Sequence, residues 1–365
     1  MNSEQISKIH IKGFKSIKDC HLNMKMVNVL IGTNGAGKSN FISVFKLLQD
    51  VIEMNMQLNV ALAGGPSALL FNGMKETSEL SVRFDFGNNG YEFTLMPTDE
   101  GAMVFKEEYF RYRYGGKDFG RRLGLRAGYA ESQWERGTGT KYDSFVQPIL
   151  EKQKWRLYHF HDTSRGARVK QNCSLANNLE LLSDAGNLAA FLYRIKTEYP
   201  SNYANIIRTI QLVAPYFEDF YLEPLFDGEN TNLRWRQKGS YDIFNANQLS
   251  DGTIRFICLV TLLKQPADLQ PESIVIDEPE LGLHPYALTI LGEIIHATAL
   301  RKQIIISTQS VELLNEFEVD EIVVVNRDDD GTKFERLNEE ELFAWLETDY
   351  SLGDLWKKNV LGGRF

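Results

Sequence analysis

The chain has 365 residues, of which 43% are hydrophobic, and a formal net charge of −9 at pH 7. That length allows two or three domains with sizeable cores. The three cysteines lie far apart without a CxxC pair, which argues against a zinc ribbon or a disulfide framework. No apolar run approaches the ~18 residues of a membrane span, and the N-terminus lacks a signal-peptide core, so we expect a soluble, cytoplasmic protein without membrane contacts.

The first fifty residues predict strands, a glycine-rich loop and a helix. Residues 6–24 indicate two strands around a turn at residues 13–16, because Lys8, His10 and Lys12 alternate with isoleucines. Residues 26–31 (MVNVLI) are typical of a buried parallel strand, and residues 40–52 carry apolar side chains at helical spacing. Between them, residues 32–39 (GTNGAGKS) match the pattern GxxxxGK[ST].

This strand–loop–helix arrangement predicts a nucleoside triphosphate site. Glycines let backbone N–H groups surround phosphate oxygens, and the helix N-terminus adds partial positive charge. Lys38 would reach the β- and γ-phosphates, and the Ser39 hydroxyl would coordinate Mg²⁺. A glycine turn without a ligand is the alternative, which this context disfavours. The nucleotide-binding candidates in the loop are Asn34, Gly35, Ala36, Gly37, Lys38, Ser39 and Asn40.

The middle of the chain predicts β-structure followed by helices. Residues 79–113 hold alternating runs separated by GNNG and DEG, which indicates an antiparallel sheet. Residues 115–139 are rich in Gly and Arg with little periodicity, so we expect a long loop or a mobile lid. Residues 187–216 predict helices interrupted at Pro200, and strands resume around residues 221–235.

The last third alternates strands and helices, which favours a parallel sheet covered on both faces. We expect strands at residues 273–276, 303–307 and 321–326, and helices at residues 250–263, 285–299 and 339–347. The first of these strands ends in Asp277 and Glu278, at an edge that faces the ligand crevice in a parallel sheet. Asp277 would hold Mg²⁺ and Glu278 would polarise the attacking water. Acids that only begin a loop or cap a helix are the alternative.

Residues 249–255 (LSDGTIR) place Ser250 as the N-cap of an apolar helix, and Gly252 would let a ligand approach the backbone closely. Alone, this run indicates only a good helix start. It resembles the signature motif of ABC-type ATPases, in which the helix N-terminus points at the γ-phosphate held by the partner's phosphate loop.

Together with residues 282–285 (GLHP) and 307–310 (STQS), these motifs resemble those of the RecF/SMC-like ABC-type ATPases. Within that group the chain is most similar to stand-alone, OLD-related ATPases, many of which act in prokaryotic anti-phage defence. The resemblance implies an α/β fold, a P-loop ABC-type ATPase head with a parallel core sheet, an antiparallel β lobe and a helical insert. It implies an N-terminal ATPase lobe at residues 1–115, an inserted basic and helical region at 116–235, and a C-terminal ATPase lobe at 236–365.

The resemblance also implies ATP and Mg²⁺ as ligands and a head-to-tail homodimer, or a higher oligomer, as the assembly. The implied site residues are Lys38, Ser39 and Asp277 for ATP and Mg²⁺, Glu278 together with Lys38 for catalysis, Lys15 and Ser16 for the nucleobase, and Ser250 and Gly252 for the partner's nucleotide. The switch position, usually histidine in ABC-type ATPases, is Gln309, whose amide donates a hydrogen bond but carries no positive charge. We therefore count Gln309 among the catalytic residues and expect slow hydrolysis.

OLD nucleases carry a C-terminal TOPRIM nuclease with metal-binding acidic clusters. Here residues 328–331 (DDDG) favour a hairpin tip, so an effector nuclease or toxin would be a separate chain. His159 and His161 would share a strand face, but without a further ligand nearby a metal site is not favoured.

Charge is distributed unevenly along the chain. The segment from Arg111 to Lys170 holds 14 Lys/Arg and 6 Asp/Glu, a local charge of +8, with aromatic residues interleaved near its start. Nucleic acid is therefore a candidate partner of this region. Residues 311–354 hold 3 Lys/Arg and 15 Asp/Glu, a local charge of −12. Solvated surfaces without a partner explain such runs equally well.

Two functional hypotheses remain. The leading one is an ATP-dependent homodimer that acts as a sensor in prokaryotic antiviral defence and regulates the effector in trans. The alternative is a RecF-like, DNA-binding ATPase of repair or recombination. The nucleotide-binding subunit of a membrane transporter is disfavoured, because the 211 positions from Ser39 to Ser250 hold much additional structure.

Overall fold

The computed structural model describes residues 5–112, 121–125, 127–134, 155–340, 342 and 350–362. The chain divides into two compact units, called here unit 1 (Met1–Arg156 with Glu318–Phe365) and unit 2 (Leu157–Phe317). The strands are β1 (Ile6–Phe14), β2 (Ile17–Asn23), β3 (Val27–Ile31), β4 (Leu80–Phe86), β5 (Asn89–Pro97), β6 (Met103–Tyr112), β7 (Arg121–Gly124), β8 (Trp155–Tyr158), β9 (Cys173–Ser174), β10 (Phe217–Tyr221), β11 (Asn230–Thr231), β12 (Arg234–Gln237), β13 (Ile243–Asn245), β14 (Ser273–Asp277), β15 (Gln303–Thr308), β16 (Ile322–Asp328) and β17 (Gly331–Arg336). The α-helices are α1 (Lys38–Ile52), α2 (Met56–Leu62), α3 (Leu188–Glu198), α4 (Pro200–Val213), α5 (Asp251–Lys264), α6 (Pro285–Ala299), α7 (Val311–Leu314) and α8 (Leu352–Lys357).

Unit 1 contains an antiparallel sheet with the strand order β2-β1-β4-β5-β6-β7. Alternation with a period of two buries Ile9 and Ile11 on one face of β1 and leaves Lys8 and Lys12 exposed on the other. The two strands predicted at residues 6–24 and the antiparallel sheet predicted at residues 79–113 are confirmed.

The strand before the glycine-rich loop and the helix after it also belong to unit 1. β3 is buried at every residue and pairs in parallel with β16, which turns back into antiparallel β17. The apolar face of α1 packs on both sides, because the Phe45 ring lies 5.7 Å from that of Phe84 in β4 and the Phe41 ring 5.2 Å from that of Phe334 in β17. Each buried ring contributes about 1.5–3 kcal/mol. The start of α1 is therefore firmly placed, and the predicted strand and helix are confirmed.

Unit 2 combines helices with a parallel strand pair. β14 and β15 run in parallel with Asp277 opposite Ser307 at their carboxyl ends. α5 and α6 match the predicted helices at residues 250–263 and 285–299, and α3 ends before Pro200, which begins α4. A small antiparallel sheet of order β10-β12-β13 stacks Trp235 against Phe244. Parallel pairing in both units confirms the mixed α/β fold class.

Some expectations were wrong or fall outside the described residues. The loop predicted at residues 115–139 contains β7, which pairs with β6 by setting Leu123 opposite Phe110. Four residues are too few to show a period-two pattern, so the pairing depends on β6 as a template. The remaining residues 115–120, 126 and 135–139 of that segment, and most of the helix predicted at residues 339–347, lie outside the described part. Within the described ranges, none of the helices is long and apolar enough to cross a membrane.

Candidate functional site

The glycine-rich loop of unit 1 joins β3 to α1 in a shape that only glycine allows at two positions. Gly37 precedes α1 with a φ of 115°, in the left-handed region. A Cβ on Gly37 would lie under 3.0 Å from the Thr332 side chain, and a Cβ on Gly32 equally close to the Val325 carbonyl oxygen. The loop is therefore packed tightly against β16 and β17.

Lys38, the first residue of α1, is buried and directs its ammonium group back over the loop. Its Nζ donates to the carbonyl oxygens of Gly32 at 2.5 Å and Thr33 at 3.2 Å. The first turn of α1 contains no acidic residue, so the helix N-terminus offers its positive end without a competing carboxylate. Ser39 and the loop residues Asn34 and Gly35 are exposed. This geometry can hold an anion such as a phosphate chain.

A chain of side-chain hydrogen bonds connects the β1–β2 turn to this loop. The Thr332 hydroxyl donates to the Ala36 carbonyl at 3.0 Å and lies 2.7 Å from the Ser16 hydroxyl. Because the Thr332 proton is used, Ser16 donates to Thr332, and Ser16 in turn accepts from the Asn40 amide at 2.6 Å. The structure thus brings Ser16 and Asn40 together, and it adds Thr332, which no sequence motif indicated.

Lys15 occupies the turn itself. Its φ of 50° is unusual for a residue other than glycine, and its N–H donates to the Leu69 carbonyl at 2.7 Å. Burial, and then the nearby Lys46, lower the pKa of the Lys15 ammonium below its ordinary value. The loop residues and the turn residues of the predicted site therefore lie within one unit.

Asp277 and Glu278 follow β14 in unit 2. The Asp277 side chain is 13% exposed, and its Oδ1 is buried without a hydrogen-bond partner among the described residues. Its Oδ2 lies 3.9 Å from His159 Nδ1, and its carbonyl oxygen accepts from His161 Nε2 at 2.9 Å. The Ser307 hydroxyl, on the neighbouring strand, is also buried without such a partner in that part of the chain. Hard oxygen atoms left without donors suit a hydrated Mg²⁺ ion.

Glu278 is held by the Ser307 carbonyl and by the Gln309 side chain. Its φ of 46° is a strained, left-handed conformation, and its N–H donates to the Ser307 carbonyl at 2.8 Å. Its Oε1 accepts from Gln309 Nε2 at 2.5 Å, and the Gln309 N–H donates to Glu280 Oε1 at 2.8 Å. Burial raises the pKa of the Glu280 carboxyl. The structure thus places Gln309 directly on Glu278, and Glu280 is a neighbour that the motifs did not identify.

The start of α5 is tied to the turn that follows β14. The Ser250 hydroxyl accepts from the Thr253 N–H at 3.1 Å and caps the helix as predicted. Gly252 packs closely on Gly282, since a Cβ added to Gly252 would lie under 3.0 Å from the Gly282 carbonyl oxygen. Arg255, one turn further along, donates to the carbonyl oxygens of Leu281 at 3.1 Å and His161 at 2.8 Å. Four residues of this helix start and turn are exposed to solvent, namely Ser250, Gly282, His284 and Pro285.

Two other predicted features have different outcomes. Residues 328–331 form the tip of the β16–β17 hairpin, as expected, with Asp328 ion-paired to Lys333 and Asp330 to Lys18. About half of the basic region proposed for nucleic acid, namely residues 113–120, 126 and 135–154, lies outside the described residues. The side chains of Arg121 and Arg122 are likewise not described.

Comparison with solved structures shows the fold. The structure of an SMC head bound to the C-winged helix domain of ScpA aligns at 15% identity over 93% of this chain and 99% of that chain, with a TM-score of 0.61. The Smc head with an extended coiled coil, bound to the C-terminal domain of ScpA derived from Pyrococcus furiosus, aligns at 15% identity over 94% and 99%, with a TM-score of 0.56. No curated protein sequence matches.

The fold is therefore that of SMC heads. A family model described as "AAA domain, putative AbiEii toxin, Type IV TA system" matches residues 27–315. This match covers well over half of the chain, and the chain belongs to that family.

Proposed function

We propose that this chain binds ATP with Mg²⁺, hydrolyses it slowly, and forms an ATP-dependent head-to-tail homodimer that regulates an effector supplied by another chain. The observation that carries this proposal is the carboxylate pair after β14, where Asp277 has a buried oxygen without a donor among the described residues and Glu278 is held by Gln309. Paired carboxylates in such different surroundings suit a division between metal assistance and water activation.

The proposed site residues would divide the chemistry among them. The amides of residues 34–39 and the Lys38 ammonium would bind the phosphates. Mg²⁺, held by Ser39 and by Asp277 directly or through water, would neutralise charge on the phosphate oxygens. Glu278 would accept a hydrogen bond from the water that attacks the γ-phosphorus, and take its proton as the bond to ADP breaks.

Gln309 gives the reason to expect slow turnover. Its side-chain nitrogen already donates to Glu278 Oε1 at 2.5 Å, and its backbone is fixed by Glu280. A neutral amide provides a weaker hydrogen bond to a developing γ-phosphate charge than a protonated imidazole does. ATP would then act mainly as a clamp between two copies, with hydrolysis as a slow release step.

The exposed start of α5, the helix that begins in the signature-like run LSDGTIR, supports the homodimer. Ser250 is exposed at the N-terminus of α5, and the neighbouring turn exposes Gly282 and His284. We propose that Ser250 and the backbone of Gly252 approach the γ-phosphate bound by the partner, and that the exposed turn lies at the dimer seam. A single copy would be a poor ATPase.

The biological setting that we propose is prokaryotic antiviral defence, with a nuclease or toxin as the effector and the dimer as its sensor. Support comes from the resemblance to OLD-related ATPases and from the family to which the chain belongs. The alternative is a RecF-like DNA-binding ATPase, which the local charge of +8 between Arg111 and Lys170 favours. DNA-stimulated hydrolysis that falls steeply with salt, and that is lost on charge reversal at Arg121 and Arg122, would support the alternative.

Mass measurement in solution tests the clamp. We expect the wild type to dimerise transiently with ATP and Mg²⁺, and Glu278→Gln to accumulate as a dimer because hydrolysis is blocked. Lys38→Ala should bind no nucleotide, and Ser250→Arg should bind nucleotide but remain monomeric. If Glu278→Gln binds ATP and stays monomeric under all conditions, the homodimer is wrong; if neither it nor the wild type binds ATP, the whole proposal fails.

A further inference from the structure

The β1–β2 hairpin of unit 1 carries a cluster that the nucleotide chemistry does not use. His10 and His21 are directly opposite each other in the strand register, and their rings stack with centroids 3.7 Å apart. Asp19, two residues before His21, directs its Oδ1 to within 3.0 Å of His10 Nε2 and 3.3 Å of His21 Nε2. All three ligand atoms lie within 4.8 Å of one another.

We propose that His10, Asp19 and His21 form a binding site for a borderline divalent transition-metal ion, with Zn²⁺ as the reference ligand. Zn²⁺ is bound at about 2.0–2.2 Å by imidazole nitrogen and carboxylate oxygen, so two ligand atoms at a tetrahedral angle are separated by roughly 3.3 Å. The two distances to Asp19 Oδ1 match this separation within a few tenths of an ångström. Because the two imidazole rings are stacked at 18°, both must rotate about their side-chain bonds before their Nε2 lone pairs can meet at one ion.

The strand geometry explains why the three ligands converge. Residues of one sheet face recur every second position, so Asp19 and His21 share a face of β2, and antiparallel pairing places His10 on the same face of β1. The His21 side chain is 70% exposed, which leaves room for water or another exogenous ligand at the remaining coordination positions. Two imidazoles and one carboxylate form a ligand set known from transition-metal sites with open positions.

Charged neighbours from the adjacent strands do not prevent cation binding. Arg83 of β4 lies opposite His10, but its guanidinium donates to both carboxylate oxygens of Asp85, at 2.9 and 2.6 Å. Lys12 lies opposite Asp19 and is exposed to solvent, where its charge is screened. Burial, and then His21, lower the pKa of the His10 imidazole, which favours the neutral form that binds metals.

This site is distinct in chemistry from the Mg²⁺ site of the nucleotide. Mg²⁺ prefers oxygen ligands in octahedral geometry, whereas imidazole favours zinc, nickel and copper. The hairpin ends in the turn that carries Ser16, which hydrogen-bonds to Asn40 and Thr332 beside the glycine-rich loop. A bound ion would cross-link β1 to β2 and so restrain the turn that contacts the nucleotide loop.

Metal titration of the tag-free, chelator-treated full chain tests the proposal. We expect calorimetry to show one Zn²⁺ per chain and saturating Zn²⁺ to raise the melting temperature by about 2–4 °C, while Mg²⁺ without nucleotide has no such effect. His10→Gln, Asp19→Asn and His21→Gln should each weaken Zn²⁺ binding by at least tenfold. Lys12→Gln, on the same face but without a ligand atom, should bind as well as the wild type or better.

Zn²⁺ could instead bind at another histidine of the chain, and a further variant distinguishes the two locations. His159→Gln removes a histidine near Asp277 and should leave Zn²⁺ affinity unchanged. Binding that is lost in His159→Gln, or retained in all three ligand variants, would overturn the assignment. The same is true if the wild type shows no Zn²⁺-dependent heat and no shift in melting temperature. These readouts do not depend on ATP turnover, so they remain informative if the proposed function is wrong.

Discussion

The close approach of Gly252 to Gly282 gives a prediction with a definite sign. In an ordinary exposed helix, Gly→Ala stabilises by up to about 1 kcal/mol, because alanine has the higher helix propensity. At Gly252 the new Cβ would lie 3.2 Å from the Gly282 carbonyl carbon and closer still, under 3.0 Å, to its oxygen. Since carbon–oxygen contacts normally start at about 3.3 Å, one backbone segment must move by at least several tenths of an ångström.

The turn at Gly282 has little freedom to make that movement. Gly282 has a φ of 69°, and the neighbouring Leu281 carbonyl accepts from Arg255 at 3.1 Å. Overpacking of this kind costs about 1–3 kcal/mol, so after the gain in propensity we expect Gly252→Ala to destabilise unit 2 by about 1–2 kcal/mol. For a unit of this size, that corresponds to a fall in melting temperature of about 2–8 °C.

Calorimetry and solution mass measurement with ATP would check both consequences. Gly252→Ala should melt earlier and dimerise less, while nucleotide binding by a single copy persists. Gly166→Ala is the matched control in the same unit, since its Cβ would meet only Ser164 Oγ at 3.9 Å, and its stability should change by less than about 0.5 kcal/mol. An increase in melting temperature for Gly252→Ala, with wild-type dimerisation, would refute the reasoning.

Three further substitutions test other parts of the structure. Thr332→Val removes the hydroxyl that connects Ser16 to the loop and leaves buried polar groups unpaired. We expect the free energy of unfolding to fall by about 1–3 kcal/mol and calorimetry to show weaker ATP binding. Thr332→Ser keeps the hydroxyl and should show neither effect. Asn187→Ala removes a fully buried amide that makes three hydrogen bonds to backbone groups, so denaturant unfolding should show a loss of about 2–4 kcal/mol. Burial raises the pKa of Asp50 from 3.8 to about 6, so its favourable contribution is complete below pH 4 and is lost as the pH rises through 6. Asp50→Asn should therefore be more stable at pH 7.5 by no more than about 1 kcal/mol, because the side chain stays partly exposed, and the difference should vanish near pH 4 in thermal melts.

Local patterns were sufficient for most of the regular structure. The glycine-rich loop, α1 and the strand before Asp277 depend on spacing within about fifteen residues, and each forms where the sequence predicts it. The Ser250 cap also depends on neighbours in sequence, since the Ser250 hydroxyl accepts from the N–H of Thr253, three residues further along. β7 was missed because a four-residue strand contains too little periodicity and needs the surface of β6 to form.

The parts of the site that could not be predicted depend on contacts between distant positions. Thr332 meets Ser16 across 316 residues of chain, and nothing in the acidic run around it indicates a role beside the loop. The Gln309 substitution could be read from the sequence, but its hydrogen bond to Glu278 requires the register of β14 with β15. The sequence indicated His10 only as an alternating strand position, because its convergence with His21 on Asp19 appears only when β1 and β2 are paired.

The contacts within unit 2 have a consequence for how two copies would communicate. Arg255 holds the Leu281 and His161 carbonyls, and the His161 ring donates to the Asp277 carbonyl, so the signature helix and the carboxylate-bearing strand end share one hydrogen-bonded cluster. A contact between Ser250 and a phosphate bound by the partner would therefore affect the same hydrogen-bonded cluster that carries Glu278 of this chain. In the proposed homodimer, closure around one nucleotide would bias the position of the catalytic carboxylate that serves the other.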